Sequence, residues 1–288
     1  MISLKNIILI ATSTLLISAC GGDKAHDENN SADSSTVMEL AKDTTAVTVD
    51  DTTKFKFDFA IANIPSPANS VQELANYGAP YDNSILNDTK KISNYTTEYQ
   101  RAINLGIYNI DMAYAMVQDK GTDVLKYMKN VMTISDGLGL KSAIDVMVGK
   151  RAESNLNNKD SLFKILDEIF VKSDSYLRTN ERVYTAGTIF AGSWLESLYL
   201  TCKIGNNATD NAMAAKVYIH LWEQRFHLGN LINLLNDYKD KKECVDLVAQ
   251  LKPIHQEITA VKQAHDMDDI KFKSIANKIF ALRDKLTK

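Results

Sequence analysis

The chain has 288 residues, of which 45% are hydrophobic and 24% charged, and its formal net charge is −3. That length and apolar content allow one sizeable core. A chain with no basic excess is a poor partner for nucleic acid, whose binding requires clustered Lys and Arg.

Met1 to Ala19 carry one charge, Lys5, followed by Ile7-Ile8-Leu9-Ile10, Leu15-Leu16-Ile17 and Ser18-Ala19-Cys20. A basic start, an apolar run and small residues before a cleavage point form the layout of a secretory signal. The apolar run is too short for a comfortable membrane span, which needs about 20 predominantly apolar residues. With a cysteine at the cut, Ile17-Ser18-Ala19-Cys20 resembles the lipobox of bacterial lipoproteins. The resemblance implies cleavage before Cys20, a diacylglyceryl group on its thiol and an acylated amine. Each buried methylene adds about 0.8 kcal/mol, and several chains anchor stably where one holds only marginally. Gly21 stands where enterobacterial lipoproteins retained in the inner membrane carry aspartate. The expected location is therefore the cell envelope, in the outer membrane facing the periplasm. Asp23, Asp27 and Glu28 near the anchor leave cell-surface display as the alternative.

Residues 20–66 follow as a tether. Gly21 to Ser66 holds nine acidic residues against four basic ones, a local charge of −5, with Asn29-Asn30-Ser31 and Ser34-Ser35-Thr36 adding small polar groups. Such a stretch buries too little apolar surface to offset its ordering entropy. A flexible tether of this length reaches about 40 Å. Within it, Phe55, Phe57 and Phe59 alternate with Lys56 and Asp58. Period-2 alternation reads as a strand or an extended arm. No second strand exists to pair with it, so residues 54–59 are expected to dock on the body as an arm.

From residue 67 to 288 the charge is about +1, and one all-α domain is predicted. Ser66-Pro67 is a cap followed by proline at the first helical position, and Gly78 closes that short helix. Further helices are predicted over 96–118, 122–136, 141–154, 159–178, 181–203, 209–237, 241–262 and 268–286. Breaks fall at Gly121, Gly137 and Gly139, 155–158, Gly205-Asn206-Asn207 and 237–240. Pro253 alone lies inside a predicted helix, where a kink is expected. Short connections make sequential neighbours antiparallel. The fold class is a stack of antiparallel helical hairpins, a bundle or an irregular tetratricopeptide-like array, although no repeat of fixed period occurs.

Two helices are apolar almost all round, which marks a buried element. Val183 to Cys202 contains one charge, Glu196, and Leu105 to Gln118 contains one, Asp111. Interspersed Thr, Ser and Gly argue against the first as a membrane span. Gly187, Ala191 and Gly192 would let another helix approach closely. A carboxylate in such a helix pairs or becomes neutral. One reading is a ligand-binding or acid–base site, with Asp111 and Glu196 ringed by Tyr108, Tyr114, Trp194 and Tyr199. The other is a structural ion pair, with Arg101 or Arg182 as the expected partner.

His220, Glu223 and His227 fall within a 60° arc of one helix, and this composition could ligate a metal. The His220-x-x-Glu223 pair is similar to the HxxE motif of imelysin-like helical lipoproteins, with Tyr218 where that motif has glycine. The competing reading is the polar edge of an amphipathic helix. Cys202 and Cys244 belong to helices separated by one of nearly thirty residues, about 40 Å long. They are therefore expected as free, buried thiols. No GxSxG elbow, phosphate-cradling loop or GxGxxG occurs, and no cofactor is expected.

The runs Ile64-Pro65-Ser66-Pro67, Leu105-Gly106-Ile107-Tyr108, Asp111-Met112-Ala113-Tyr114, Asn158-Lys159-Asp160-Ser161-Leu162 and Ala191-Gly192-Ser193-Trp194-Leu195-Glu196 are similar to those of a family of uncharacterised bacterial helical lipoproteins. The resemblance implies the helical fold and the envelope location, and brings no activity. The sequence thus points to a lipid-anchored, non-enzymatic helical module that binds or scaffolds an envelope component. The alternatives are a receptor or enzyme built on Asp111 and Glu196, and a metal site on His220, Glu223 and His227.

Overall fold

The computed structural model describes residues 67–288 except 143, 145, 146, 156 and 157. Cys20, the tether and the arm at 54–59 lie outside the described residues. Helices α1 (Pro67–Asn76), α2 (Glu98–Val117), α3 (Gly121–Gly137), α4 (Met147–Glu153), α5 (Lys159–Thr179), α6 (Val183–Asn206), α7 (Asn211–Leu235), α8 (Lys242–Ala260) and α9 (Asp269–Leu286) account for most of them. Short 3₁₀ turns at Asn83–Ile85, Thr89–Asn94 and Ala264–Asp266 complete the regular structure, and no strand occurs among the described residues. No described helix is long and apolar enough to cross a membrane.

Local chemistry sets the helix ends. Thr97 and Gln100 cap α2 reciprocally, satisfying two backbone donors that the helix itself leaves unpaired. Asn158, Asp210 and Asp268 accept from the first-turn N–H groups of α5, α7 and α9. The expected break at Gly121 is made two residues earlier, by Asp119 at φ 55°. There the Lys120 N–H closes back on Ala115 O at 2.8 Å. Glu181 at φ 57° does the same for α5, with the Arg182 N–H reaching Leu177 O at 2.7 Å. Gly139, at φ 73°, ends α3 by the same device. Each left-handed residue lets the next N–H satisfy a carbonyl near the helix end.

The core is organised around α2 and α6, which pack together more extensively than any other pair. Residues 102–117 of α2 are buried without exception. Glu98 meets Arg182 and Thr185, the Ile103 carbonyl faces Gly192, and Ser193 Oγ donates to Gly106 O. These contacts advance in the same direction along both chains, so α2 and α6 run parallel. A Cβ on Gly106 would collide with Ile189 O and Ser193 N, and one on Gly192 with Ile103 O. The two glycines form matched notches that bring backbone against backbone. Gly192 fulfils the close approach expected of it, and Gly106 is the reciprocal half. Around this pair α1, α3, α7 and α9 pack, with α8 joining through α7 and α9.

Cys202 and Cys244 are free and buried. Burial pushes the Cys244 thiol up to about 12 and raises Cys202 as well, so neither is a reactive thiolate at neutral pH. Pro253 lies inside α8, which continues through it. The helix expected from 141 is shorter and begins at Met147.

Candidate functional site

Asp111 on α2 and Glu196 on α6 come together one to two turns past the glycine notch. The parallel register that seats Gly106 against Ser193 carries the two carboxylates to the same level. Both are 0% exposed. The basic partner is Arg283, from the last helix; the expectation of Arg101 or Arg182 is corrected. Arg101 instead donates to the carbonyls of Tyr95 and Gly137. Arg182 pairs with Glu98 and Leu138 O. Arg283, 5% exposed, grips Glu196 through two parallel hydrogen bonds of 3.0 Å, Nε to Oε2 and Nη2 to Oε1. This fork geometry is the strong form of the contact. Its guanidinium also lies 4.4 Å from the centre of the Tyr199 ring.

Asp111 has a different role. Its Oδ2 accepts from the Asn87 backbone N–H at 3.1 Å. Burial first, and the adjacent Glu196 carboxylate second, hold its carboxyl well above the ordinary 3.8, against the opposing pull of Arg283 and the Asn87 N–H. The protonated form of Asp111 is thereby favoured, and in that form its remaining oxygen can donate a proton to Glu196. Arg283 thus faces two carboxyl groups, one that takes both of its hydrogen bonds and one whose protonated form burial favours. A buried pair survives only with such geometry and with further hydrogen bonds around it.

The tyrosines belong to a second arrangement. Tyr108 Oη donates to Asp88 O at 2.8 Å, Tyr114 Oη to Pro80 O at 3.1 Å and Tyr127 Oη to Asn87 O at 3.1 Å. Gln118 and Asn130 donate to Ala79 O and Thr89 O. Five side chains, from α2, its C-cap Gln118 and α3, thus satisfy carbonyls at both ends of the segment 79–89, which the Asp111 carboxyl also grips at its Asn87 N–H. Unpaired buried carbonyls would be costly, and this ladder holds an irregular segment over the end of the cluster. Burial lifts the phenols of Tyr95 and Tyr114 above their ordinary range. Trp194 is 2% exposed and its indole N–H has no hydrogen-bond partner.

Asp111 and Glu196 are thus brought together, with Tyr199 beside them, while Tyr108 and Tyr114 serve the segment above. The cluster has no opening to solvent through its own members. A cavity of about 260 Å³ lies elsewhere, between α3 and the turn after it, lined by Met132, Thr133, Ser135, Asp136, Lys141 and Ile144.

The metal reading of His220, Glu223 and His227 is corrected. His220 is buried and Glu223 exposed. His220 Nδ1 lies 3.0 Å from Glu73 Oε2 on α1. Among the described residues, no group of three His, Cys, Asp or Glu side chains could hold a metal ion. Desolvation lowers the His220 pKa despite Glu73, and the Tyr77 ring packs edge-on against it. The pair ties α1 to α7.

Two signals for the true site were present in the sequence. Phe272, Ile275, Ala276, Ile279 and Leu282 form the buried stripe of α9, and Arg283 continues it at helical spacing. A cation on an apolar stripe announces a buried anion. Asp82-Asn83-Ser84 and Asp88-Thr89-Lys90 are aspartate turns, each closing on the N–H two residues on.

In comparison with known proteins, no family model, no curated protein and no solved structure matches this chain.

Proposed function

We propose that the chain is a lipid-anchored protein of the cell envelope whose helical body binds or scaffolds another envelope component and performs no chemistry of its own. The observation that supports this reading is the closure of Glu196 on Arg283. The two side chains that looked most like a reaction centre satisfy one another at 3.0 Å, with 0% and 6% of their side-chain surface exposed. An acid or base must reach the proton it transfers, directly or through one water, and these two groups are buried and bonded to each other, with Asp111 and Tyr199 beside them. Function then rests on the outer surface of the helices, held near the bilayer by Cys20.

The anchor is tested by growth with an alkyne fatty acid. Label on the wild-type chain, and its loss with release from membranes in Cys20→Ala, is the expected result; an unlabelled wild-type chain overturns the anchor. The binding role is tested by photo-crosslinking from exposed positions on α7 and α9 in intact envelopes. One adduct of constant stoichiometry is expected from a few positions. A small molecule co-purifying with the native body, and lost in Glu196→Gln folded to the parent's helix content, would instead establish the receptor or enzyme reading.

A further inference from the structure

The cavity beside α3 has none of the buried carboxylates in its lining and has chemistry of its own. Met132, Ser135 and Asp136 follow one another at helical spacing, so one face of α3 forms its first wall. Lys141 and Ile144, from the turn after the helix, line it as well. That turn is held from several sides. Arg101 donates to Gly137 O and Arg182 to Leu138 O, the Leu140 N–H closes on Ser135 O at 2.8 Å, and the Ile144 N–H closes on Leu140 O at 3.0 Å. The walls are therefore set before any ligand arrives, as is usual for small-molecule sites. The volume of about 260 Å³ falls just below the roughly 300–1,000 Å³ of pockets for drug-sized molecules, so the space suits a small metabolite.

Ser135 is the residue that points to a ligand. It is 2% exposed, and its hydroxyl has no hydrogen-bond partner. A helical serine or threonine can return its hydroxyl to the carbonyl four residues back, as Thr133 does to Lys129 O at 2.8 Å. Ser135 does not, and a buried hydroxyl left unpaired is costly. A guest that brings one hydrogen-bonding group to Ser135 recovers that loss. Half-buried Met132 and buried Ile144 offer apolar surface beside it. Asp136 and Lys141 then add opposite charges at the open side. Their charged atoms stand 3.8 Å apart, with 60% and 70% of the side-chain surface exposed. An exposed pair of this kind is worth little, and it gives way to a ligand that offers each group its own counter-ion.

We propose that this cavity binds a small zwitterion, an amino acid whose side chain has an apolar body and one terminal hydrogen-bonding group. The terminal group bonds the Ser135 hydroxyl, the apolar body lies against Met132 and Ile144, and the ammonium and carboxylate face Asp136 and Lys141. The test is equilibrium dialysis of the full chain against labelled L-tyrosine, L-phenylalanine and tyramine. Tyrosine should bind saturably, one per chain. Phenylalanine, which lacks the hydroxyl, should bind up to about tenfold more weakly, the worth of one ordinary hydrogen bond. Ser135→Ala removes no bond made within the chain, so it should fold as the parent does while the preference for tyrosine over phenylalanine disappears. Lys141→Met should weaken tyrosine and leave tyramine, which has no carboxylate, unchanged. Absence of saturable tyrosine binding overturns the proposal, as do Ser135→Ala and Lys141→Met variants that bind all three probes like the parent. Binding lost in Glu196→Gln and kept in Ser135→Ala would place the ligand at the buried carboxylates instead, and also overturns it.

Discussion

Asp111, Glu196 and Arg283 show how neighbouring groups assign different states to two similar carboxylates. Glu196 takes both prongs of the guanidinium, whereas Asp111 receives one backbone N–H and has its pKa raised by burial and by Glu196. Their mutational costs should differ accordingly. Arg283→Met leaves Glu196 buried without a cation, and breaking a buried pair from one side costs about 3–5 kcal/mol. Asp111→Asn preserves shape and carries no charge, with an amide donor toward Glu196 and a carbonyl toward Asn87. It should remain within about 1 kcal/mol of the parent, the net worth of one ordinary hydrogen bond. Urea denaturation of both variants measures the contrast. The pH dependence follows from the raised pKa of Asp111. The folded state binds this proton more tightly than the unfolded state, so the contribution is complete below the unfolded value near 3.8 and declines as pH rises toward the folded pKa. Asp111→Asn should therefore gain on the parent as pH rises above about 4. A constant difference between the two over that range would show that Asp111 is ionised. The two carboxylates were legible in the sequence because each is the lone charge in an apolar helix. The apolar stripe of α9 marks Arg283 as a buried cation, but not which anion it meets, because the pair spans 87 residues and nothing local ties α9 to α6.

At the scale of elements, periodicity and breakers located the helices, since the same capping and dipole chemistry operates in the sequence and in the fold. The ends at Asp119 and Glu181 were less legible. Non-glycine residues enter the left-handed region at a cost of about 1–2 kcal/mol, so tertiary contacts rather than local preference must hold them there. The parallel pairing of α2 and α6 was likewise hidden, because connection length constrains only sequential neighbours. The glycines make that pairing specific. Gly106→Ala and Gly192→Ala each place a methyl against the partner's backbone, which no rotamer change relieves. Each should cost about 3 kcal/mol or more, at or beyond the upper end of ordinary overpacking. Gly78→Ala is the control. Its φ of 86° strains any side chain, yet nothing lies within 4 Å of the added carbon, so the loss should be about 1–2 kcal/mol. Thermal denaturation of the three variants checks the order. Equal losses at Gly78 and Gly106 would mean that α2 and α6 can slide apart.

Across the whole molecule, the last helix closes the body onto its first long one. Among the described residues, Arg283 of α9 supplies the only cation bonded to Glu196, and Asn104 of α2 donates to Leu286 O at 3.0 Å. Phe272 fills the space beside Gly205 near the far end of α6. C-terminal residues usually fray and tolerate removal unless they are docked, and here the final turns carry the charge balance of the core. A chain stopped after Ala281 loses Leu282, Arg283 and the Leu286 carbonyl together, leaving Glu196 buried and uncompensated. It should lose cooperative unfolding altogether. The opposite truncation should be mild. A chain beginning at Ser66 keeps α1, the His220–Glu73 tie and every contact described for the core, and it should retain the parent's helical circular dichroism. Thermal melts of both truncations decide the matter. If the chain ending at Ala281 melts cooperatively within a few degrees of the parent, Arg283 is dispensable and Glu196 must find its compensation in the proton it shares with Asp111.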